Sequence, residues 1–424
     1  MRGCAISALT SLAACASPVA DDVADEPAEA AATVASSTPP SDPDATLTTR
    51  VVYANLQSLR MDSVDPFDRR VLIGQQEADV SNLDTNGLTP IPSDIEAVAH
   101  KAPALVSYEL SHAYKSAMTT FDVAAFRAGR PALRQLVLDQ HRDGALVSFV
   151  WHMKCPKSAA NARDEFSPSA CPADYRLEEL LERKRDGSRG AHFDEWRAML
   201  DELAELLWSL KDDRGELIPV QLRPLHEHTG KWFWWGASNA PDVYAAVWRE
   251  MVTYLRRGRG LHNVLWVYCP AAPTDRHLLS QGGDFERFYP GDDFVDVVAF
   301  DRYDRGDGSF SRGYEADLAR VGAFASAHRK VAAVGEVGLT GIAEDGSSSD
   351  PDWFTTAMLA PLKQRGRAFA YVGLWRNAPW EKFIPEPDDG ALAADFVSFA
   401  RDPAALFAGT HNLYRPLHRA GGGV

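Results

Sequence analysis

From Arg50 onward the chain alternates short apolar runs with longer amphipathic stretches. The runs are Val71–Gln76, Ala104–Leu110, Ala145–His152, Ile218–Glu227, Val264–Pro270, Val295–Tyr303, Val331–Val337 and Ala368–Trp375. Their centres are near-continuous Val, Ile, Leu, Ala and Phe, the pattern of strands buried on both faces and therefore of a parallel sheet. Helical stretches lie between them, among them Pro131–Arg142, Asp194–Leu210, Asp242–Arg256, Tyr314–His328 and Trp353–Gln364, several opened by Asp, Ser or Pro. Eight strand–helix units predict a single (β/α)8 TIM barrel with long loops. An open doubly wound sheet is the architectural alternative. It would usually carry a Gly-rich phosphate turn after its first strand, and Gly74-Gln75-Gln76 is not one.

The segment ahead of the first run has a different character. Arg2, the mildly apolar stretch Cys4–Ala14 and the small residues after it read as an export signal, too short to span a bilayer. Leu12-Ala13-Ala14-Cys15 resembles the bacterial lipobox, in which Cys15 would be lipidated to give a cell-surface lipoprotein; ordinary cleavage nearby and full secretion is the other reading. Residues 16–49 are rich in Ala, Ser, Pro, Asp and Glu, hold no Lys or Arg before Arg50, and read as a flexible tether. The folded domain is thus expected over residues 50–424, as a monomer that meets a membrane only through the lipid.

Composition narrows the class of ligand. The 59 acidic residues exceed the 44 basic ones, for a formal charge of -15. No Lys/Arg stripe tracks phosphates, which argues against nucleic acid. Eleven tryptophans suit a neutral, sugar-like ligand, which is bound by flat aromatic faces and hydrogen bonds, though Trp is also ordinary core. Cys155 and Cys171 flank a polar loop that an exported protein could close with a disulfide, while Cys269 ends an apolar run and reads as a small buried residue.

In a TIM barrel the reactive groups project from the C-terminal ends of the strands. The fourth run ends in Arg223-Pro224-Leu225-His226-Glu227 and the seventh in Gly335-Glu336-Val337-Gly338, so each offers one carboxylate at a strand mouth. Retaining glycoside hydrolysis needs two carboxyl groups about 5–5.5 Å apart, one protonated and one ionised, and neither cofactor nor metal. The ordinary rival is a pair of surface glutamates in salt bridges.

Arg223-Pro224-Leu225-His226-Glu227-His228-Thr229-Gly230-Lys231-Trp232-Phe233-Trp234-Trp235-Gly236 resembles the acid/base signature of glycoside hydrolase family 26, a barrel family best known for β-mannanases. Trp151-His152, Asp296–Asp304, Val334–Gly338 and Leu374–Ala378 resemble further family segments in the family's order. The resemblance implies Glu227 as acid/base, Glu336 as nucleophile and Tyr303 as hydrogen-bond partner of that nucleophile. It places Trp151, His152, His226, Trp232, Trp235 and Trp375 around the cleaved bond, with at least one residue of the Trp232, Trp234 and Trp235 set expected in the core. Arg223 is expected to brace Glu227 or the barrel interior rather than touch sugar, and Trp380 and Phe383 to extend the groove. The implied substrate is a β-1,4-mannan, galactomannan or glucomannan, with β-1,3-xylan or mixed-linkage β-glucan as alternatives within the family. Thr229 departs from the usual Asn beside the acid.

Two readings of other classes compete. His226-x-His228 on a strand resembles the opening of an amidohydrolase zinc site, although no later His ends a strand to complete it. A catalytically silent glycan-binding lipoprotein would use the same scaffold.

Overall fold

The structure is a computed structural model that describes residues 37–61, 70–78, 80–81, 89–90, 92–110, 123–156, 166–172, 175–183, 185–188, 190–364, 368–410 and 412–416. The export signal, Cys15 and the first part of the expected tether lie outside the described residues.

Eight parallel strands form a closed barrel. They are β1 (Val71–Gln76), β2 (Leu105–Glu109), β3 (Leu146–Trp151), β4 (Val220–Pro224), β5 (Val264–Tyr268), β6a (Val297–Val298) continued by β6b (Asp301–Asp304), β7 (Val331–Leu339) and β8 (Phe369–Leu374). Each pairs with its neighbour in chain order, and Leu72↔Tyr371 through Gln75↔Leu374 joins the last strand to the first. Every residue of β1, β2, β3, β4, β5 and β8 is buried, because one side of each strand fills the barrel and the other lies under helices. That double burial is why the runs carry no polar alternation.

The helices include α1 (Leu47–Met61), which precedes the barrel, then α2 (Asp94–Ala99), α3 (Val123–Arg142), α4 (Ala191–Ser209), α5 (Pro241–Thr253), α6 (Phe310–Ala327), α7 (residues 354–362, opened by a π turn) and α8 (Gly390–Arg401). Ser93 and Glu96 form a capping box at the start of α2, satisfying two backbone donors that a helix end leaves free. Among the described residues no helix is long and apolar enough to cross a membrane.

Three expectations change. The domain does not begin at residue 50: Asp42, Ala45 and Thr49 are buried, and the Ser41 amide donates to Asp296 Oδ1 at 2.6 Å. Asp42 Oδ2 also meets His262 Nδ1 at 2.9 Å, while the Tyr53 hydroxyl of α1 donates to the Asp296 carbonyl at 3.1 Å. The tether is therefore shorter than 16–49, since its last residues are held by hydrogen bonds that composition does not reveal. The sixth strand is not one run over Val295–Tyr303. It breaks at Ala299–Phe300, and its offset from β7 grows by one residue between Val331↔Val297 and Glu336↔Asp301. Helix α3 starts at Val123 rather than at Pro131, which lies inside it.

Candidate active site

The C-terminal mouth of the barrel gathers the two carboxylates. Beyond β4 the chain leaves the sheet at Leu225 and Glu227, whose φ angles of 48° and 52° put them in the left-handed region. Each such non-glycine residue costs about 1–3 kcal/mol and persists only where its surroundings over-determine it. Here the turn is pinned on each side. The Glu227 amide donates to the Cys269 carbonyl at 2.7 Å, the Tyr244 hydroxyl to the Leu225 carbonyl at 2.8 Å, and the Trp235 indole to the His226 carbonyl at 2.8 Å. Glu336 sits within β7 and pairs with Asp301 of β6b. One oxygen from each of Glu227, Asp301 and Glu336 lies within 4.8 Å of the other two.

The partners of the two glutamates differ in kind. Glu336 accepts from both the Arg223 guanidinium and, at 2.6 Å, the Tyr303 hydroxyl. Arg223 Nη1 also donates to Asp301 Oδ2 at 2.8 Å, so the guanidinium bridges Asp301 and Glu336. Among the described residues, the Glu227 side chain accepts the Trp232 indole N–H alone, at 2.7 Å. Burial and, second, the negative charge of Glu336 raise the Glu227 carboxyl to about 7. Glu227 is therefore the carboxyl that its surroundings keep available as a proton donor up to near-neutral pH.

The family model for glycosyl hydrolase family 26 matches residues 41–356. The chain belongs to that family. A curated mannan endo-1,4-beta-mannosidase from Bifidobacterium adolescentis is 28% identical over 88% of the chain. The solved structure of a GH26 beta-mannanase from Bacteroides ovatus is 28% identical, with a TM-score of 0.69 over 89% of this chain and 99% of that one. The catalytic domain of a GH26 endo-beta-1,4-mannanase from Bacillus sp. JAMB-750 is 27% identical, with a TM-score of 0.73 over 90% of this chain and 97% of that one. The chain spans 36%, 46% and 56% of the lengths of three curated relatives that it matches.

Within this family 26 barrel, the residues singled out from sequence divide into two groups. Trp232 is 42% exposed beside Glu227, and Trp375 is half-buried with its ring 6.3 Å from and perpendicular to that of Tyr303. His152 joins them at the mouth, its Nδ1 2.5 Å from Glu109 Oε2 and its amide donating to Glu109 Oε1 at 3.0 Å. Burial pulls the His152 ring down, but the charge and hydrogen bond of Glu109, helped by Glu336 and Glu227, outweigh it and raise its pKa. The other residues are interior. Trp151, His226 and Trp235 are at most 1% exposed, so none presents a face to a ligand, contrary to expectation. Trp235 is stacked on Phe233 at 4.5 Å, and His226 turns its ring toward His152 at 4.6 Å. Arg223 is buried, as expected, but braces Glu336 rather than Glu227. Phe383 packs on Tyr303 at 5.6 Å instead of extending the groove, whereas Trp380 is 60% exposed.

His226-x-His228 does not form a metal pair. His228 is buried between the rings of Tyr244 and Tyr268, at 4.6 and 4.7 Å, and burial pushes it down to about 3. Cys155 and Cys171 form a disulfide, with Cα atoms 5.7 Å apart. It closes the loop that brings Phe166 against His152 and Phe233. Sequence reasoning missed Glu109, Asp301 and the side-chain role of Cys269. Glu109 carries the signal that found Glu227, a carboxylate near the end of an apolar run.

Proposed function

We propose that the chain is a retaining, endo-acting hydrolase of β-1,4-linked mannans, with Glu227 as acid/base and Glu336 as nucleophile. The observation that carries this reading is the approach of the two carboxylates to within 4.8 Å between their oxygens. An inverting enzyme needs carboxyl groups about 6.5–9.5 Å apart to admit a water between them. In the first step a Glu336 oxygen bonds to the anomeric carbon as the glycosidic bond breaks, and the Glu227 proton passes to the leaving oxygen. The resulting ester removes the charge of Glu336, the second cause of the raised Glu227 carboxyl, so Glu227 ionises more readily. It then takes a proton from water, which attacks the anomeric carbon and frees Glu336.

Trp232 and Trp375 supply flat faces for sugar rings, and His152 supplies hydrogen bonding beside the scissile bond. The mannan specificity draws support from relatives named mannan endo-1,4-beta-mannosidase. Export, through Cys15 as a lipid anchor or by secretion, completes the proposal and suits a polymer that cannot enter the cell.

The test is incubation with mannan, galactomannan, β-1,3-xylan and lichenan, with products sized and their anomeric configuration followed by NMR. Internal cleavage of mannan with retention is expected, and Glu336→Ala should abolish it while leaving mannan binding measurable. Inversion at the moment of cleavage, or a preference for xylan or lichenan, would overturn the proposal.

A further inference from the structure

Cys269 follows β5 and is fully buried. Its two polar ends face different ways. The carbonyl accepts the Glu227 amide at 2.7 Å, fixing the left-handed turn that presents this carboxyl. The thiol donates to Asp301 Oδ1 at 3.0 Å, while Asp301 Oδ2 accepts Arg223 Nη1 at 2.8 Å and the other arm of Arg223 reaches Glu336. An unbroken chain of donors and acceptors thus runs from the Cys269 sulfur to the Glu336 carboxylate.

We propose that Cys269 is a positioning residue for both carboxylates: its carbonyl sets Glu227, and its thiol proton, through Asp301 and Arg223, sets Glu336. This rests on the reading of those two residues given above. Asp301 is 1% exposed, so without the thiol its Oδ1 would be a buried acceptor with no donor. The surroundings of the thiol are tightly packed. Even a methyl group built on Gly335 would stand 2.6 Å from Asp301 Oδ1 and 2.7 Å from the Cys269 sulfur. The carboxylate then rotates to share the guanidinium differently, and Arg223 is drawn away from Glu336. Because the thiol lies beneath the substrate contacts, its loss acts on the chemical step rather than on binding.

Three substitutions separate this from simple packing. Cys269→Ser keeps a donor but loses volume, Cys269→Val keeps volume but loses the donor, and Cys269→Ala loses both. All are assayed as full chains for kcat and KM on mannan and on an aryl β-mannobioside with a good leaving group. The serine variant is expected to stay within about threefold of the parent, while the alanine and valine variants lose about 10- to 100-fold in kcat with KM within about twofold. If the valine variant fails to fold, the alanine–serine pair, which differs by the hydroxyl alone, decides. A serine variant as impaired as alanine, or a valine variant as active as the parent, overturns the proposal. A parent without hydrolysis on any of the glycans would instead sink the functional reading.

Discussion

Replacing Trp232 with Phe tests the electrostatic asymmetry of the site most directly, because it keeps an aromatic face and removes one N–H. The indole donates to Glu227 Oε2 at 2.7 Å, and a donor on a carboxylate favours the ionised form. Trp232 therefore holds the Glu227 carboxyl below where burial and Glu336 would otherwise take it. A hydrogen bond to a charged group is worth about 1.5–3 kcal/mol when buried. Trp232 is 42% exposed, so solvent screening cuts that to about 1 kcal/mol. At about 1.4 kcal/mol per pH unit, the loss raises the Glu227 carboxyl by about half to one pH unit from its value near 7. Since the acid must be protonated for the first step, the alkaline limb of kcat/KM should move up by the same amount. The assay is a pH profile of kcat/KM on an aryl β-mannobioside, in which the height of the curve reports lost sugar stacking and the limb reports the acid. An alkaline limb that stays in place or moves down would refute the assignment of Trp232 as donor to the acid.

Other outcomes follow from the same contacts. The fold raises the Glu227 carboxyl, so its protonated form is favoured and stability is lost as pH rises from about 4.5 to about 7; Glu227→Gln should therefore raise Tm at pH 8 and leave it nearly unchanged at pH 4, read by calorimetry. The Cys155–Cys171 bond spans a sequence separation of 16, and closing a loop of that size stabilises by about 3 kcal/mol. The double serine variant should melt lower and, because the loop seats Phe166 against His152, show a raised KM. Asp296 accepts the amides of Ser41 and Trp266 at 2.6 and 2.8 Å, so Asp296→Ala should cost about 2–5 kcal/mol in chemical denaturation with little effect on KM.

The barrel was legible because all of its strand candidates fall where paired strands lie, and double burial writes itself as unbroken apolar sequence. The ends of those runs were not legible. The fourth continued on paper to Glu227, but backbone pairing stops at Pro224 and the chain turns through left-handed residues that only tertiary contacts select. The same turn decides which tryptophan faces outward: Trp232, Trp234 and Trp235 look alike in sequence, yet Trp234 and Trp235 spend their indole N–H groups on the carbonyls of Met153 and His226. The N-terminal segment escaped notice because polar hydrogen bonds to Asp296 and His262 anchor it. Asp301 was hidden in a run whose neighbours suggested a continuous strand.

The extra residue of β7 opposite the interruption at Ala299–Phe300 has a consequence for any attempt to re-engineer this mouth. Side chains on a strand alternate between its two sides, so a one-residue slip sends every later group to the opposite one. Glu336 reaches Tyr303 and Arg223 with one more residue of β7 behind it, counted from Ala332, than β6 has between Val298 and Asp301. Deleting either Ala333 or Val334 would leave every polar group of the mouth in the sequence and turn Glu336 away from Tyr303 and Arg223, silencing the centre through parity alone.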